Sequence, residues 1–179
     1  MISSVLKIKP LGNFGNMILD NLDKKAKFFV IELSSFQLNY IDNFRPNISI
    51  ISNINHDHLN YHKTFDNYLK AKINISKNQE KDNFLILNYD DENIKSYFNK
   101  KNDIKAKIIK ISNKSSLSKG IFYKKNQIYD NFFTNRKYSL KENNFLKLKH
   151  NQLNYTIAFS SLLALGLEPN KIIKSLNEF

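Results

Sequence analysis

Four short apolar runs constrain this chain most: Phe28-Phe29-Val30-Ile31, Ile48-Ser49-Ile50-Ile51-Ser52, Phe84-Leu85-Ile86-Leu87-Asn88 and Lys107-Ile108-Ile109-Lys110-Ile111. The runs are rich in β-branched or aromatic residues and too short for buried helices. They read as strands of a parallel sheet, and the first of them as an interior strand covered on both faces. The intervening stretches have helical spacing. Ser35 to about Asn43 forms one candidate helix, closed by Pro46 because proline disfavours helix in the residue before it. Thr64 caps another that runs to about Lys77, with Phe65, Tyr68, Leu69, Lys72, Ile73 and Ser76 along one face. A third helix lies around Asn93 to Phe98. Strand alternating with helix predicts an α/β fold, Rossmann-like, with a mostly parallel sheet flanked by helices.

From Gly120 the pattern changes to Ile121-Phe122-Tyr123, Gln127-Ile128-Tyr129, Lys137-Tyr138-Ser139-Leu140 and Phe145-Leu146-Lys147-Leu148, a small antiparallel ribbon portion. Asn151 to Leu165 reads as an amphipathic helix broken at Gly166, and Pro169 begins a last helical piece up to Phe179. Near the start, Gly12-Asn13-Phe14-Gly15 suits a tight turn, followed by an apolar helix from Met17 to Leu22. One domain over residues 1–179 is the economical count.

A hydrophobic content of 41% excludes wholesale disorder. No window approaches the roughly 18 uncharged apolar residues of a membrane span. The start, Met1 to Lys7, lacks a signal-peptide core, so membrane partners are not expected and the cytoplasm is the simplest location. The absence of cysteine rules out disulfides and zinc-thiolate sites. A net charge of +12 raises nucleic acid as a partner. The bases are scattered lysines, however, with arginine only at Arg45 and Arg136, whereas readers of base edges prefer arginine. Nucleic acid is therefore not expected, and a small basic polyanion-binding protein stands as the competing reading.

Ligands of open parallel sheets collect at the carboxyl ends of the strands. Glu32 ends the first run there, followed by Leu33-Ser34-Ser35-Phe36-Gln37-Leu38, a cluster of small hydrogen-bonding groups. The second run ends in Asn53-Ile54-Asn55-His56-Asp57-His58, two imidazoles and a carboxylate. If the two strands are neighbours, Glu32 and this cluster share one edge and suit a metal. Lys72 lies on the core-facing stripe of its helix. It is either a snorkelling lysine or a desolvated amine able to react with carbon dioxide and become a carbamate ligand. Asn151 and Asn154 sit one turn apart at a helix start, either capping it or facing a flat polar ring.

In this order, the pieces resemble the central domain of the Mur ligases, most closely the D-glutamate-adding members. The likeness rests on Gly12-Asn13-Phe14-Gly15, Glu32-Leu33-Ser34-Ser35-Phe36-Gln37-Leu38, Asn53-Ile54, Asp57-His58-Leu59, Ala71-Lys72, Asn88 with Asp90-Asp91, and His150-Asn151 with Asn154. The resemblance implies that residues 1–179 are a central, ATP-binding domain truncated on its N-terminal side. It implies that Glu32, His58 and a carbamylated Lys72 hold Mg2+, with His58 and Lys72 serving catalysis. It further implies that Asn151 and Asn154 face the adenine of ATP, and that Asn13, Ser34 and Gln37 contact UDP-N-acetylmuramoyl-L-alanine. The implied chemistry is carboxylate phosphorylation by ATP, followed by attack of the D-glutamate amine on the acyl phosphate. Leu148 and Asn60-Tyr61 depart from the family pattern, and no Gly-x-x-x-x-Gly-Lys-Ser/Thr loop occurs. Activity from this segment alone is accordingly not expected. Complementary fragments of the same ligase are the expected partners, and a decayed remnant is the alternative origin.

Overall fold

A computed structural model describes residues 1–13, 17–22, 25–101 and 103–179. In chain order the elements are α1 (Ile2–Val5), β1 (Pro10–Gly12), a 3-10 turn (Leu19–Asn21), β2 (Val30–Glu32), α2 (Ser35–Leu38) and β3 (Ile48–Ile51). Then come α3 (Leu59–His62), α4 (Phe65–Ile73) with a 3-10 extension (Asn74–Ser76), β4 (Phe84–Asn88), α5 (Glu92–Asn99) and β5 (Lys107–Ser112). Three strands follow, β6 (Ile121–Lys124), β7 (Gln127–Asp130) and β8 (Arg136–Ser139), then a 3-10 turn (Asn144–Lys147), α6 (Lys149–Ala164) and α7 (Pro169–Leu176).

β3, β4, β5 and β6 run parallel, and β6, β7 and β8 form an antiparallel meander completing a six-stranded sheet in sequence order. The β6–β7 turn is Lys125-Asn126, both with positive φ (48° and 56°), as a two-residue hairpin turn matched to strand twist requires. β4 shows why its sequence is apolar without alternation. Leu85 and Leu87 pack with Tyr68, Ile94 and Phe98 on one face, while Ile86 packs with Tyr155, Phe159 and Leu162 on the other. With both faces covered by helices, a strand has no polar side to show.

The ladder of β2 departs from expectation. Among the described residues it pairs in parallel only with β1, Pro10 opposite Val30 and Gly12 opposite Glu32, and is not hydrogen-bonded to β3. The Phe28–Ile31 run therefore carries a free edge instead of lying inside the sheet, and Phe29 is 42% exposed. Gly12 explains the close approach of β1: at φ +103° an added Cβ would lie 2.1 Å from the carbonyl oxygen of Glu32.

Four other expectations are corrected. α2 stops at Leu38 after one turn. Leu19–Asn21 is a 3-10 turn in place of an apolar helix over Met17 to Leu22, and Phe14 and Gly15 of the glycine turn lie outside the described residues. Phe145-Leu146-Lys147 is no ribbon. Asn143 accepts from the Leu146 N–H at 2.9 Å and winds the segment into a 3-10 turn. α6 is not amphipathic: every residue from Tyr155 to Leu163 is buried, because the sheet, α1 and α7 enclose it. Its end matches the sequence reading. Gly166 takes φ +83°, and the N–H groups of Gly166 and Leu167 return to the carbonyls of Leu163 and Leu162.

Candidate functional site

β2 and β3 each deliver a chemistry-bearing segment at the carboxyl end, and an aromatic cluster joins the two. After β2, Ser34 and Gln37 close a capping box on α2: the Gln37 N–H donates to Ser34 Oγ at 3.3 Å, and the Ser34 N–H donates to Gln37 Oε1 at 2.8 Å. This cap aims Phe36 at the segment after β3. Its ring lies 4.9 Å from that of His58, 4.7 Å from Tyr61 and 5.6 Å from His62. Tyr68 of α4 completes the cluster, 6.3 Å from His58 and 5.3 Å from His62.

His58 and Lys72 each approach the Tyr68 ring. Lys72 Nζ is 5.8 Å from the Tyr68 ring centroid, half-buried as the core-facing stripe of α4 predicts. His58 takes a left-handed backbone (φ 52°), its N–H donates to Asp57 Oδ1 at 2.8 Å, and its Nε2 lies 3.4 Å from Asp57 Oδ2. Both side chains are exposed, so this contact contributes little to stability. Glu32 is exposed at the end of β2, and its carbonyl oxygen accepts from the N–H of Asn13 at 2.9 Å, bringing Asn13 beside it.

His62 was not singled out by sequence reasoning, although it lies one helical turn after His58. It is 5% exposed, stacks on Phe36 at 22°, and its Nε2 lies 3.0 Å from Ser35 Oγ. Burial lowers its pKa below the ordinary 6.5, with a smaller push from His58. Burial also raises the Tyr68 hydroxyl, reinforced by the Asp57 charge.

A second feature is an open cavity of about 440 Å³ at the carboxyl ends of β4 and β5, walled by Asn55, Asn88, Asn93, Lys114, His150 and Leu153 among others. Asp90 and Asp91, prominent in the sequence, work here as staples. Asp90 accepts from Ser112 Oγ (2.6 Å) and the N–H groups of Asn113 (2.8 Å) and Lys114 (3.3 Å). Asp91 caps α5 through the N–H groups of Asn93 and Ile94 and accepts from Ile54 N–H at 2.9 Å, tying down the loop after β3. Asn88 Nδ2 donates to the Ser52 carbonyl at 2.8 Å. Neither Asn151 nor Asn154 lines this cavity. Asn151 is buried, its Nδ2 donating to the Phe145 carbonyl at 3.0 Å, and Asn154 is exposed further along α6.

Among the described residues no three His, Asp or Glu side chains converge as a ready cation site. Mg2+ is commonly held by one or two carboxylates plus substrate phosphates and water, so it does not require a dedicated all-protein cage. Among the described residues, no helix is long and apolar enough to cross a membrane.

An open, mostly parallel sheet between helices, with polar loops gathered at its carboxyl rim, defines a ligand-binding α/β domain of the Rossmann-like class. The family model for the Mur ligase middle domain matches residues 13–162, and the chain belongs to that family. It is 40% identical over 152 residues to the UDP-N-acetylmuramoylalanine--D-glutamate ligase of Clostridioides difficile, covering 84% of this chain and 33% of that protein. The relative of the same name from Rickettsia bellii is 35% identical over 169 residues, covering 94% of this chain and 37% of that protein. The chain thus spans about a third of the length of these relatives. Among solved structures, the murein peptide ligase described as UDP-N-acetylmuramate:L-alanyl-gamma-D-glutamyl-meso-diaminopimelate ligase from Neisseria meningitides superposes with a TM-score of 0.68 at 12% identity, over 99% of this chain and 60% of that one. MurF from Acinetobacter baumannii gives 0.64 at 19% identity, over 99% and 42%. These two likenesses concern the fold.

Proposed function

We propose that residues 1–179 form the central domain of a ligase that joins D-glutamate to UDP-N-acetylmuramoyl-L-alanine during peptidoglycan-precursor synthesis in the cytoplasm, using ATP and Mg2+. The observation that carries this reading is the 40% identity to the Clostridioides difficile ligase of that name. ATP bound with Mg2+ would supply the phosphoryl group that activates the substrate carboxylate as an acyl phosphate; the D-glutamate amine then attacks the acyl carbon, forming the amide bond, releasing a proton and expelling inorganic phosphate.

The chain's own groups divide the work as follows. Glu32 and His58 hold the cation from the ends of β2 and β3, with Asp57 fixing the imidazole. Lys72 Nζ attacks carbon dioxide, forming an N–C bond and releasing a proton, and the resulting carbamate presents a negative charge where the sequence encodes a positive one. Tyr68, packed beside both, limits where the Lys72 stem can go. Asn13, Ser34 and Gln37 orient the muramoyl-alanine substrate. Gln37 does so through its Nε2, because its Oε1 is engaged by Ser34. Asn151 and Asn154 belong to the adenine end of the site, Asn154 through its exposed amide and Asn151 by bracing the turn at Phe145.

The sequence contains no phosphate loop, so the reaction calls on other parts of the ligase. The test is a chimera in which these residues replace the matching third of the Clostridioides difficile ligase. Phosphate release that requires both UDP-N-acetylmuramoyl-L-alanine and D-glutamate is the expected result. A chimera that melts cooperatively but releases none refutes the reading. Lys72→Ala in that chimera lowers the rate by about 10²-fold or more, the effect of misplacing reacting groups by about an ångström.

A further inference from the structure

A cavity of about 240 Å³ opens where the strands begin, at the far end of the sheet from the rim that carries Glu32 and His58. Two of its walls fix that location. Gln79 bonds the Pro46 and Phe84 carbonyls at the starts of β3 and β4, and Lys105 lies just before β5.

The floor of this cavity lacks a donor. Gln79 is 3% exposed, and its Nε2 donates to the Pro46 carbonyl at 3.0 Å and to the Phe84 carbonyl at 2.9 Å. Turning the amide over would set its oxygen against both carbonyls, so the orientation is fixed. Oε1 is the other arm of the same planar group, directed away from the strand backbones and toward the cavity that Gln79 walls. Among the described residues it is the one buried side-chain nitrogen or oxygen without a hydrogen-bond partner. A buried acceptor left so is costly until something donates to it. Ser76, 8% exposed, also walls the cavity. Its hydroxyl hydrogen goes to the Ile73 carbonyl at 2.9 Å, so toward a ligand its oxygen can only accept.

The mouth, by contrast, is cationic. Lys70, Lys77, Lys101 and Lys105 are exposed around it, against one acid, Asp103, among the described lining residues. The partners these lysines hold are weak ones. Lys70 meets Asp66 at 2.6 Å and Lys105 meets Glu80 at 2.7 Å, both as exposed pairs. Lys77 donates to the Ile41 carbonyl, and Lys101 Nζ lies 5.5 Å from the Tyr97 ring centroid. A ligand for this cavity therefore carries hydrogen-bond donors at one end and negative charge at the other. Burial and the lysines both disfavour an ammonium on the floor, which leaves hydroxyl groups as the donors. A doubly charged phosphate ester suits several lysines better than a single carboxylate does.

We propose that the cavity binds the phosphate monoester of a small polyol, its hydroxyls donating to Gln79 Oε1 and Ser76 Oγ and its phosphate seated among the lysines. The volume is below the roughly 300–1,000 Å³ of sites for drug-sized molecules and admits a sugar-sized body. The site lies away from the residues assigned to the proposed reaction, so it stands whether or not that reaction does.

The probe is ribose 5-phosphate, titrated at low salt into the isotopically labelled 179-residue chain while backbone amide shifts are followed, with ribose and inorganic phosphate as separate arms. The amides of Ser76, Gln79, Lys101 and Lys105 should move with a dissociation constant of about 1 mM or below, while those of Glu32 and His58 stay. Ribose and phosphate alone should each bind at least about tenfold more weakly, because each reaches one end of the cavity only. Replacing two exposed lysines together (Lys70→Gln with Lys101→Gln) should weaken the ester about three- to tenfold at an unchanged urea midpoint, each lysine acting on the scale of an exposed ion pair. Gln79→Leu should reduce the ester's affinity to that of inorganic phosphate. It also loses the bonds to Pro46 and Phe84, so the lysine variant decides if it fails to fold. Inorganic phosphate binding as tightly as the ester would mean that the floor takes only water, and would overturn the proposal. Ribose matching the ester, shifts confined to the rim at Glu32 and His58, unchanged affinity in the lysine variant, or no binding at all would each overturn it too.

Discussion

At the scale of single residues, His62 and Gly12 carry the clearest consequences. The folded state holds His62 as a neutral, Ser35-bonded imidazole with its pKa lowered by burial, while the unfolded chain titrates at the ordinary 6.5. The unfolded state therefore takes up the proton first as pH falls. The stability this group contributes is complete above about 6.5 and declines as pH drops below it toward the folded-state value. Urea midpoints measured from pH 7.5 down to 5.5 (a window of about two units around the imidazole range) should fall, and His62→Gln should flatten the trend. An unchanged slope in the variant would assign it to other groups. Gly12→Ala forces a Cβ to 2.1 Å from the Glu32 carbonyl at φ +103°. The expected cost is at least about 1–3 kcal/mol of local strain, read as a lower urea midpoint with the amides of Asn13 and Glu32 exchanging faster.

Among whole elements, α5 and α6 show how burial and capping divide the labour. Asp91 caps α5 and holds the Ile54 N–H, so one carboxylate fixes both a helix start and the loop leading to His58. Asp91→Ala should cost about 1–2 kcal/mol from the cap alone. Asp91→Asn, which keeps an acceptor for α5, should recover most of that in a denaturant titration. α6 is the central column of one face of the sheet, and Phe159 is fully buried within it. Phe159→Ala should destabilise by about 3–5 kcal/mol, the range for aromatic truncation in a close-packed core, measured by the same titration. The segment at Asn144–Lys147 shows the limit of pattern reading for elements. Four residues do not separate a ribbon from a 3-10 turn, and only the Asn143 cap decided between them.

For the molecule as a whole, the end of the chain closes the core that α6 opens. Ile172 and Leu176 of α7 are fully buried against α6 and the sheet. Ending the chain after Gly166 removes both, about 3–6 kcal/mol of apolar burial at 1.5–3 kcal/mol for each side chain. That is comparable with the whole stability of many domains, so the shortened chain should lose its cooperative thermal transition. The net charge of +12 comes from 28 Lys and Arg against 16 Asp and Glu. The described acids include local pairs such as Lys70 with Asp66 and Lys105 with Glu80, both exposed and weakly stabilising.

The sequence by itself determined the succession of elements and the residues at the rim. Apolar runs long enough for one strand and no longer, Thr64 before a helix, and Gly166 after one are local instructions, obeyed because each acts over one turn or one strand. Glu32, His58 and Lys72 were legible as candidates because Glu32 ends an apolar run, His58 lies in the polar cluster after another, and Lys72 interrupts an apolar stripe. Only the tertiary structure decided which edges pair, that Ser34 and Gln37 spend part of their bonding on each other, that Asp90 and Asp91 act as staples, and that His62 is buried beside Ser35. The free edge of β2 could not be read from residues 28–31, since a short apolar run suits an interior strand and an edge strand alike. They differ in the partners of their backbone N–H and C=O groups, which every residue except proline carries alike, so neighbours in space assign those partners and composition does not.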